Sequence, residues 1–91
     1  MFDFVVPLAP GVIGYTVDVG PDLYVPLIEA TQPGSGDVGR YFDSLPRDRR
    51  VVVPNVISAQ LEGMLARRGF SPTIEWAEGF EENVEVWERK P

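Results

Sequence analysis

The sequence predicts a small α/β domain, of the α+β kind, in which two helices pack on one mixed and mostly antiparallel sheet. Apolar and polar residues alternate along four stretches, as they do in strands that bury one face. Two further apolar stretches are each followed by a loop and by a segment with helical spacing. The predicted element order is therefore ββ-βα-βα-ββ, with a parallel pair of strands at the centre of the sheet.

The first two strands are predicted near the beginning of the chain. Residues 2–6 alternate and the strand signal ends near Pro7 and Pro10-Gly11, so we expect an edge strand there. Residues 12–19 alternate again until Gly20 and Pro21 break the pattern. The two strands are expected to pair as a hairpin or meander.

The third strand is predicted at residues 23–28, which are apolar on both faces, as in a central strand covered on two sides. Pro26 lies in the middle of this stretch and has no N–H to donate, so we expect a bulge or a splay there. Its parallel partner is predicted at residues 50–53, because the helix between them makes a right-handed crossover.

Two helices and two late strands complete the predicted fold. The first helix covers residues 37–44 and stops before Pro46, and the second is capped by Ser58 and closed by Gly69. The late strands are predicted at residues 73–76 and 84–87, joined by an acidic loop. The helical spacing directs these residues to the core: Val38, Tyr41, Phe42, Leu45, Leu61, Met64 and Leu65.

Composition limits the classes of function. At 91 residues the chain predicts one domain, residues 1–91. It has neither Cys nor His, which excludes thiolate nucleophiles and the commonest transition-metal ligands, and no metal site is expected. A net charge of −6 argues against nucleic acid as a partner, and neither a signal peptide nor a membrane span is recognisable. We expect a cytoplasmic protein, or a virion-associated one if the chain is of phage origin.

Residues 23–70 resemble the core of the GNAT acyl-CoA N-acyltransferases. The resemblance rests on a central strand interrupted by Pro26, a glycine loop that opens a helix, a second parallel strand, and a helix ending in Arg67-Arg68-Gly69-Phe70. In that family the interrupted strand splays from its neighbour, and its exposed backbone pairs with the pantetheine arm of acyl-CoA. The resemblance assigns this contact to Leu27 and Ile28.

The resemblance also implies a site for the CoA pyrophosphate at the start of the first helix. Backbone N–H groups at a helix N-terminus form an anion site whatever the ancestry. Of the family's loop pattern, Gly36 occupies a required position and Gly34 a preferred one, whereas Pro33 and Val38 depart from it, and Asp37 would repel a phosphate. The full set of implied cofactor contacts is Leu27, Ile28, Gly34, Ser35, Gly36, Val38, Gly39, Arg40, Ser58 and Arg68.

Acyl transfer requires a base for the attacking amine and an acid for the leaving thiolate. Glu29 follows the expected splay and is our candidate for the catalytic base. The family often places a Tyr acid four residues before the Gly of Gly-Phe, a position that Leu65 occupies in this chain. The remaining candidates for the acid are Tyr15, Tyr24 and Tyr41.

Two functions remain open from the sequence. The first is an acetyl-CoA-dependent N-acyltransferase that acts on a small amine or a peptide, with a homo-oligomer completing its one-sided cleft. The second is a non-catalytic GNAT-like subunit, structural or regulatory, that binds a protein through sheet edges, an acidic surface, or the faces of Trp76 and Trp87. A nucleic-acid mimic is a more distant third, because the negative charge is concentrated only between residues 78 and 88.

Overall fold

A computed structural model describes residues 5–91 and contains eight helices and strands in this part of the chain. The order is that predicted, with both helices in the middle of the chain. The elements are β1 (Val6–Ala9), β2 (Val12–Val19), β3 (Asp22–Ala30), α1 (Asp37–Ser44), β4 (Val51–Pro54), α2 (Ala59–Ala66), β5 (Ser71–Ala77) and β6 (Glu82–Arg89).

The strands form a single sheet in the order β1-β2-β3-β4-β6-β5. The pair β3 and β4 is parallel, and the neighbouring pairs described are antiparallel. The predicted mixed sheet with a central parallel pair is therefore confirmed. Because β3 and β4 are parallel, their C-terminal ends lie at the same end of the sheet. The loops that lead from them into α1 and α2 therefore lie side by side.

The boundaries agree with the prediction for β2 and α1 and differ elsewhere. The first strand was predicted to end near Pro7 and Pro10-Gly11, and β1, which pairs with β2, ends at Ala9, just before the second of these breaks. The rest of that predicted strand, residues 2–4, lies outside the described residues. The late strands are longer than their alternating stretches, because β5 and β6 pair along their whole length from Ser71 with Glu88 to Ala77 with Glu82.

The expected bulge in β3 is present. Tyr15 of β2 pairs with Leu27 and Val17 pairs with Tyr24, so two residues of β3 lie opposite one residue of β2. One of the two residues in the bulge is Pro26, which cannot donate to the ladder. Beyond this point β3 also separates from β4, since the parallel pairs are limited to Leu23 with Val51 and Tyr24 with Val52.

Both helices pack on the same face of the sheet. The buried core contains Val12, Val25, Tyr41, Phe42, Val51, Val53, Leu65 and Phe70. Among the residues described, no helix covers the other face, so the prediction that β3 is covered on two sides is wrong. The apolar residues of that face instead pack along the sheet, and Val52 is fully buried there.

A buried arginine from the last strand closes the C-terminal end of α1. Arg89 is 4% exposed, and its guanidinium donates to the carbonyl oxygens of Phe42, Leu45 and Pro46 at 3.5, 3.5 and 3.2 Å. The same guanidinium lies 5.3 Å from the centre of the Phe70 ring. A positive charge at a helix C-terminus is favourable, and this one also donates to the carbonyls of Leu45 and Pro46, which lie just beyond the end of α1.

Candidate functional site

A groove of about 590 Å³ opens where β3 has separated from β4. The end of β3 and the loop of residues 31–36 form one wall, and the first turn of α1 and one face along the whole of α2 form the other. This volume lies within the usual range for small-molecule sites. The groove is lined by Ile28, Glu29, Ala30, Pro33, Gly34, Gly36, Val38, Gly39, Ser58, Gln60, Leu61, Met64 and Arg67.

Most of the residues singled out from the sequence meet in this groove. Seven of them line it: Ile28, Glu29, Gly34, Gly36, Val38, Gly39 and Ser58. Four others do not: Leu27, Ser35, Arg40 and Arg68. Ser35 and Arg40 are both engaged with Asp37, Arg68 joins the two helices, and Leu27 lies on the other face of the sheet.

The N-terminus of α1 presents free backbone donors to the groove. Gly36 is the N-cap residue, in a left-handed conformation with φ of 80°, and no side chain caps the helix. The N–H groups of Gly36, Val38 and Gly39 have no hydrogen-bond acceptor within residues 5–91, whereas the Asp37 N–H donates to the Ser35 hydroxyl at 3.3 Å. Free N–H groups together with the helix dipole make this end of α1 attractive to an anion.

Asp37, expected to repel a phosphate, is absent from the groove lining. Its carboxylate lies against Gly11 at the β1–β2 turn, accepts a hydrogen bond from the Ser35 hydroxyl at 2.8 Å, and is paired with Arg40. The Ser35 hydroxyl and the Arg40 guanidinium lower the pKa of Asp37. The expected roles of Ser35 and Arg40 as cofactor contacts are not supported, because both side chains are engaged with Asp37.

Arg68 joins the two helices instead of facing the groove. Its Nε donates to the Gly39 carbonyl at 3.2 Å and to the Asp43 carboxylate at 3.0 Å, and its Nη1 donates to the Met64 carbonyl at 3.2 Å. A Cβ at Gly39 would lie only 2.5 Å from Nη2 of Arg68, so Gly39 provides the space for this contact. The second cofactor arginine expected from the sequence is therefore structural.

Arg67 is the cation that lines the groove, although it was not among the cofactor contacts that the resemblance implied. The signal for it was present, because Gln60, Met64 and Arg67 follow one another at intervals of four and three residues and so share one face of α2. Arg67 is exposed and makes no ion pair with any residue of the described chain. It is free to meet a negatively charged ligand.

Leu27 and Ile28 were both expected at the cofactor, but successive side chains of a strand point to opposite faces. Ile28 lies on the helix side, where it packs against the core and lines the groove. Leu27, paired with Tyr15 of β2, lies on the other face. Only one of the two side chains can therefore contact a ligand in the groove.

Glu29 is the one groove-lining residue that carries a carboxylate, and strand alternation directs its side chain to the same face of β3 as Leu27, so the carboxylate lies at the rim of the groove. It is exposed at the end of β3, opposite Ile13 of β2. Ser58 lies on the facing side, where its hydroxyl accepts from the Leu61 N–H at 3.0 Å and caps α2 as predicted. Leu61 and Met64 add apolar surface. The groove therefore combines a hydrophobic wall with the Arg67 cation and with the Glu29 carboxylate at its rim.

None of the tyrosines described lines the groove. Tyr24 donates its hydroxyl to Glu75 at 2.8 Å, and burial and this bond raise its pKa. Tyr41 is 8% exposed within the core, where burial raises its pKa. Leu65, at the position where the resembling family often has Tyr, is fully buried. The groove therefore offers no phenolic acid.

Within residues 5–91, no group of His, Cys, Asp and Glu side chains has an arrangement that would hold a metal ion. The helices of the same part of the chain are all too short or too polar to cross a membrane. Comparison of the chain with family models, with curated proteins and with solved structures yields no match.

Proposed function

We propose that the groove binds an acyl-CoA and that the protein transfers the acyl group to an amine. The observation that carries this proposal is the meeting of two features in one groove. The first is the stretch of β3 that has separated from β4, and the second is the free N–H groups at the start of α1. An extended polar chain that ends in a pyrophosphate matches both features.

The charges of the groove favour this ligand over an uncharged one. The pyrophosphate would be held by the N–H groups of Gly36, Val38 and Gly39, with Arg67 as the side-chain cation. Asp37 does not oppose this, because its carboxylate is neutralised by Arg40 outside the groove. The pantetheine arm would follow β3 past Ile28 towards Glu29.

Glu29 would serve as the base through a water molecule, because its side chain leaves β3 on the face away from Ile28. As the amine nitrogen attacks the acyl carbon, Glu29 accepts the amine proton, the new C–N bond forms and the C–S bond breaks. The CoA thiolate then leaves and takes a proton from solvent, because no Tyr lines the groove. The protein positions the acyl-CoA and the amine and supplies a base, whereas water protonates the thiolate.

The topology gives further support to a GNAT-like domain. The bulge at Pro26 and the separation of β3 from β4 agree with the interrupted, splayed strand on which the resemblance was partly based.

A non-catalytic GNAT-like subunit is the second candidate, and one observation favours it. Leu65 occupies the position where the family often has a Tyr acid, and it is fully buried in the core. This position therefore supplies no acid to the groove. In this role the protein would retain the fold for binding a protein partner.

Replacing Glu29 with Gln is expected to lower kcat for acyl transfer by roughly 100-fold, because a positioned base contributes about that much or more. The KM for acetyl-CoA should change little, since Glu29 lies away from the pyrophosphate donors. Release of CoA thiol from acetyl-CoA, measured with a panel of amines, reports the rate without background because the chain has no Cys.

Asp48→Asn is the matched control, because Asp48 is an exposed acid near the start of β4, at the opposite end of the sheet. Equal rates for wild type, Glu29→Gln and Asp48→Asn would remove Glu29 from the mechanism. Binding of acetyl-CoA without any turnover across the panel would favour the non-catalytic candidate.

A further inference from the structure

Three large apolar side chains are exposed together on the β5–β6 hairpin. Ile74, Trp76 and Phe80 are 63%, 56% and 77% exposed. Ile74 and Trp76 are separated by a single residue along β5 and so share one face of the hairpin. Phe80 lies in the turn that follows. We call these three residues the hairpin patch. Single exposed apolar residues need no explanation, but an adjacent set indicates a contact surface.

The patch is exposed because the hairpin extends beyond the rest of the sheet. The last pair between β4 and β6 is Pro54 with Val86, whereas β5 and β6 continue for four further pairs. Ile74 and Trp76 belong to this extension, opposite Glu85 and Asn83. They are on the same face as Trp87, which packs against the core, but neither of them belongs to the core.

The surroundings of the patch are acidic. Residues 71–88 contain six Glu and no Lys or Arg. Glu78, Glu81, Glu82 and Glu85 are exposed, and within the described part of the chain none of them forms an ion pair. The apolar surface is thus surrounded by uncompensated negative charge, which selects the charge of whatever binds there.

The size and the charge of the hairpin patch favour a short basic segment as its partner over a second copy of this chain. The patch exposes on the order of 400 Å² of side-chain surface, about half of what each partner contributes to a stable protein dimer. A symmetric dimer through the patch would also bring the same glutamates of two copies together. A short basic segment meets neither difficulty, since its cations pair with the glutamates and can lie over the Trp76 ring.

We propose that the hairpin patch is a docking surface for a short segment of a partner protein that carries Lys or Arg beside large apolar residues. The apolar residues cover Ile74, Trp76 and Phe80, and the basic residues face Glu85 on the same face of the hairpin and Glu78 in its turn. This surface lies outside the groove lining, so its function does not depend on acyl-CoA or on acyl transfer.

The test is fluorescence anisotropy with a labelled synthetic peptide of alternating Lys and Leu, in the absence of acetyl-CoA. A second peptide has Glu in place of each Lys. The wild-type protein is expected to bind the Lys peptide, with an affinity that falls as salt is raised, and not the Glu peptide. Trp76→Ser and Phe80→Ser should each weaken binding about tenfold or more.

Matched controls separate the patch from general effects of charge and hydrophobicity. Val19→Ser removes an apolar side chain that is 51% exposed at the other end of the sheet, and Asp48→Asn removes an acid there. Both should bind like wild type, whereas Glu78→Gln with Glu85→Gln should weaken binding. Equal binding by all variants, binding of the Glu peptide, or a dimer abolished by Trp76→Ser would overturn the proposal.

Discussion

Replacement of Gly14 by alanine is expected to cost about 3 kcal/mol or more of the free energy of unfolding, enough to unfold a domain of this size in part. Gly14 is buried in β2, where a Cβ would overlap the Leu27 carbonyl oxygen and lie 2.9 Å from the Leu27 carbonyl carbon and 3.0 Å from the Ile28 Cα. All three atoms belong to the backbone of β3, so no side-chain rotation can relieve the overlap.

Urea unfolding followed by circular dichroism measures this loss. Gly20→Ala is the matched control, because Gly20 has φ of 60° in the β2–β3 turn and nothing lies within 4 Å of its added Cβ. That control should cost only about 1 kcal/mol, from the positive φ alone. A Gly14→Ala protein as stable as Gly20→Ala would contradict the close approach of β2 and β3.

Replacement of Arg50 by methionine is expected to lower the free energy of unfolding by about 2 kcal/mol or more, because it leaves three acids together without their cation. Arg50 bonds to Glu88 at 2.6 Å and to Asp22 and Glu75 at 3.0 Å each. The four side chains are only 11–29% exposed. Burial by itself lowers the pKa of Arg50, but the bonds to Glu88, Glu75 and Asp22 raise it above its ordinary value.

A double-mutant cycle tests whether the loss comes from the unpaired acids. Adding Glu75→Gln to Arg50→Met should recover part of the loss, because one of the three negative charges is removed. Arg47→Met is the control, since Arg47 is exposed and the described residues form no ion pair with it. Equal melting temperatures for Arg50→Met and Arg47→Met would show that the cluster adds little stability.

Features with local causes could be predicted from the sequence. The bounds of α1 follow from a glycine loop, a helical spacing of apolar residues and Pro46, all within one short segment. The cap at Ser58 is likewise a local interaction, with the Leu61 N–H three residues later. The bulge at Pro26 could be predicted because the missing N–H is a property of one residue.

Features that depend on distant partners could not be predicted. Arg68 and Arg67 are adjacent in sequence, and only the approach of Gly39 and Asp43 from α1 decides that Arg68 is engaged and Arg67 is free. The same is true of Arg89, whose acceptors lie more than 40 residues away along the chain. No periodicity within β6 indicates that its last arginine would be buried against α1.

The candidate site illustrates both cases. Gly34, Gly36 and Ser58 were assigned to the cofactor by the resemblance and line the groove, whereas Leu27 was assigned in the same way and lies on the other face. The hairpin patch was only partly expected, through Trp76, because its exposure results from the length difference between β4 and the β5–β6 hairpin.

Isothermal titration of the protein with acetyl-CoA tests the central claim most directly, with Gly36→Val and Gly20→Val as a matched pair. Both glycines have positive φ, 80° and 60°, so the two changes impose similar backbone strain, but only Gly36 lies at the groove. We predict micromolar binding by wild type and Gly20→Val, and none by Gly36→Val that remains folded. No heat from a folded wild-type protein at millimolar acetyl-CoA, or equal binding by both variants, would contradict the proposed site.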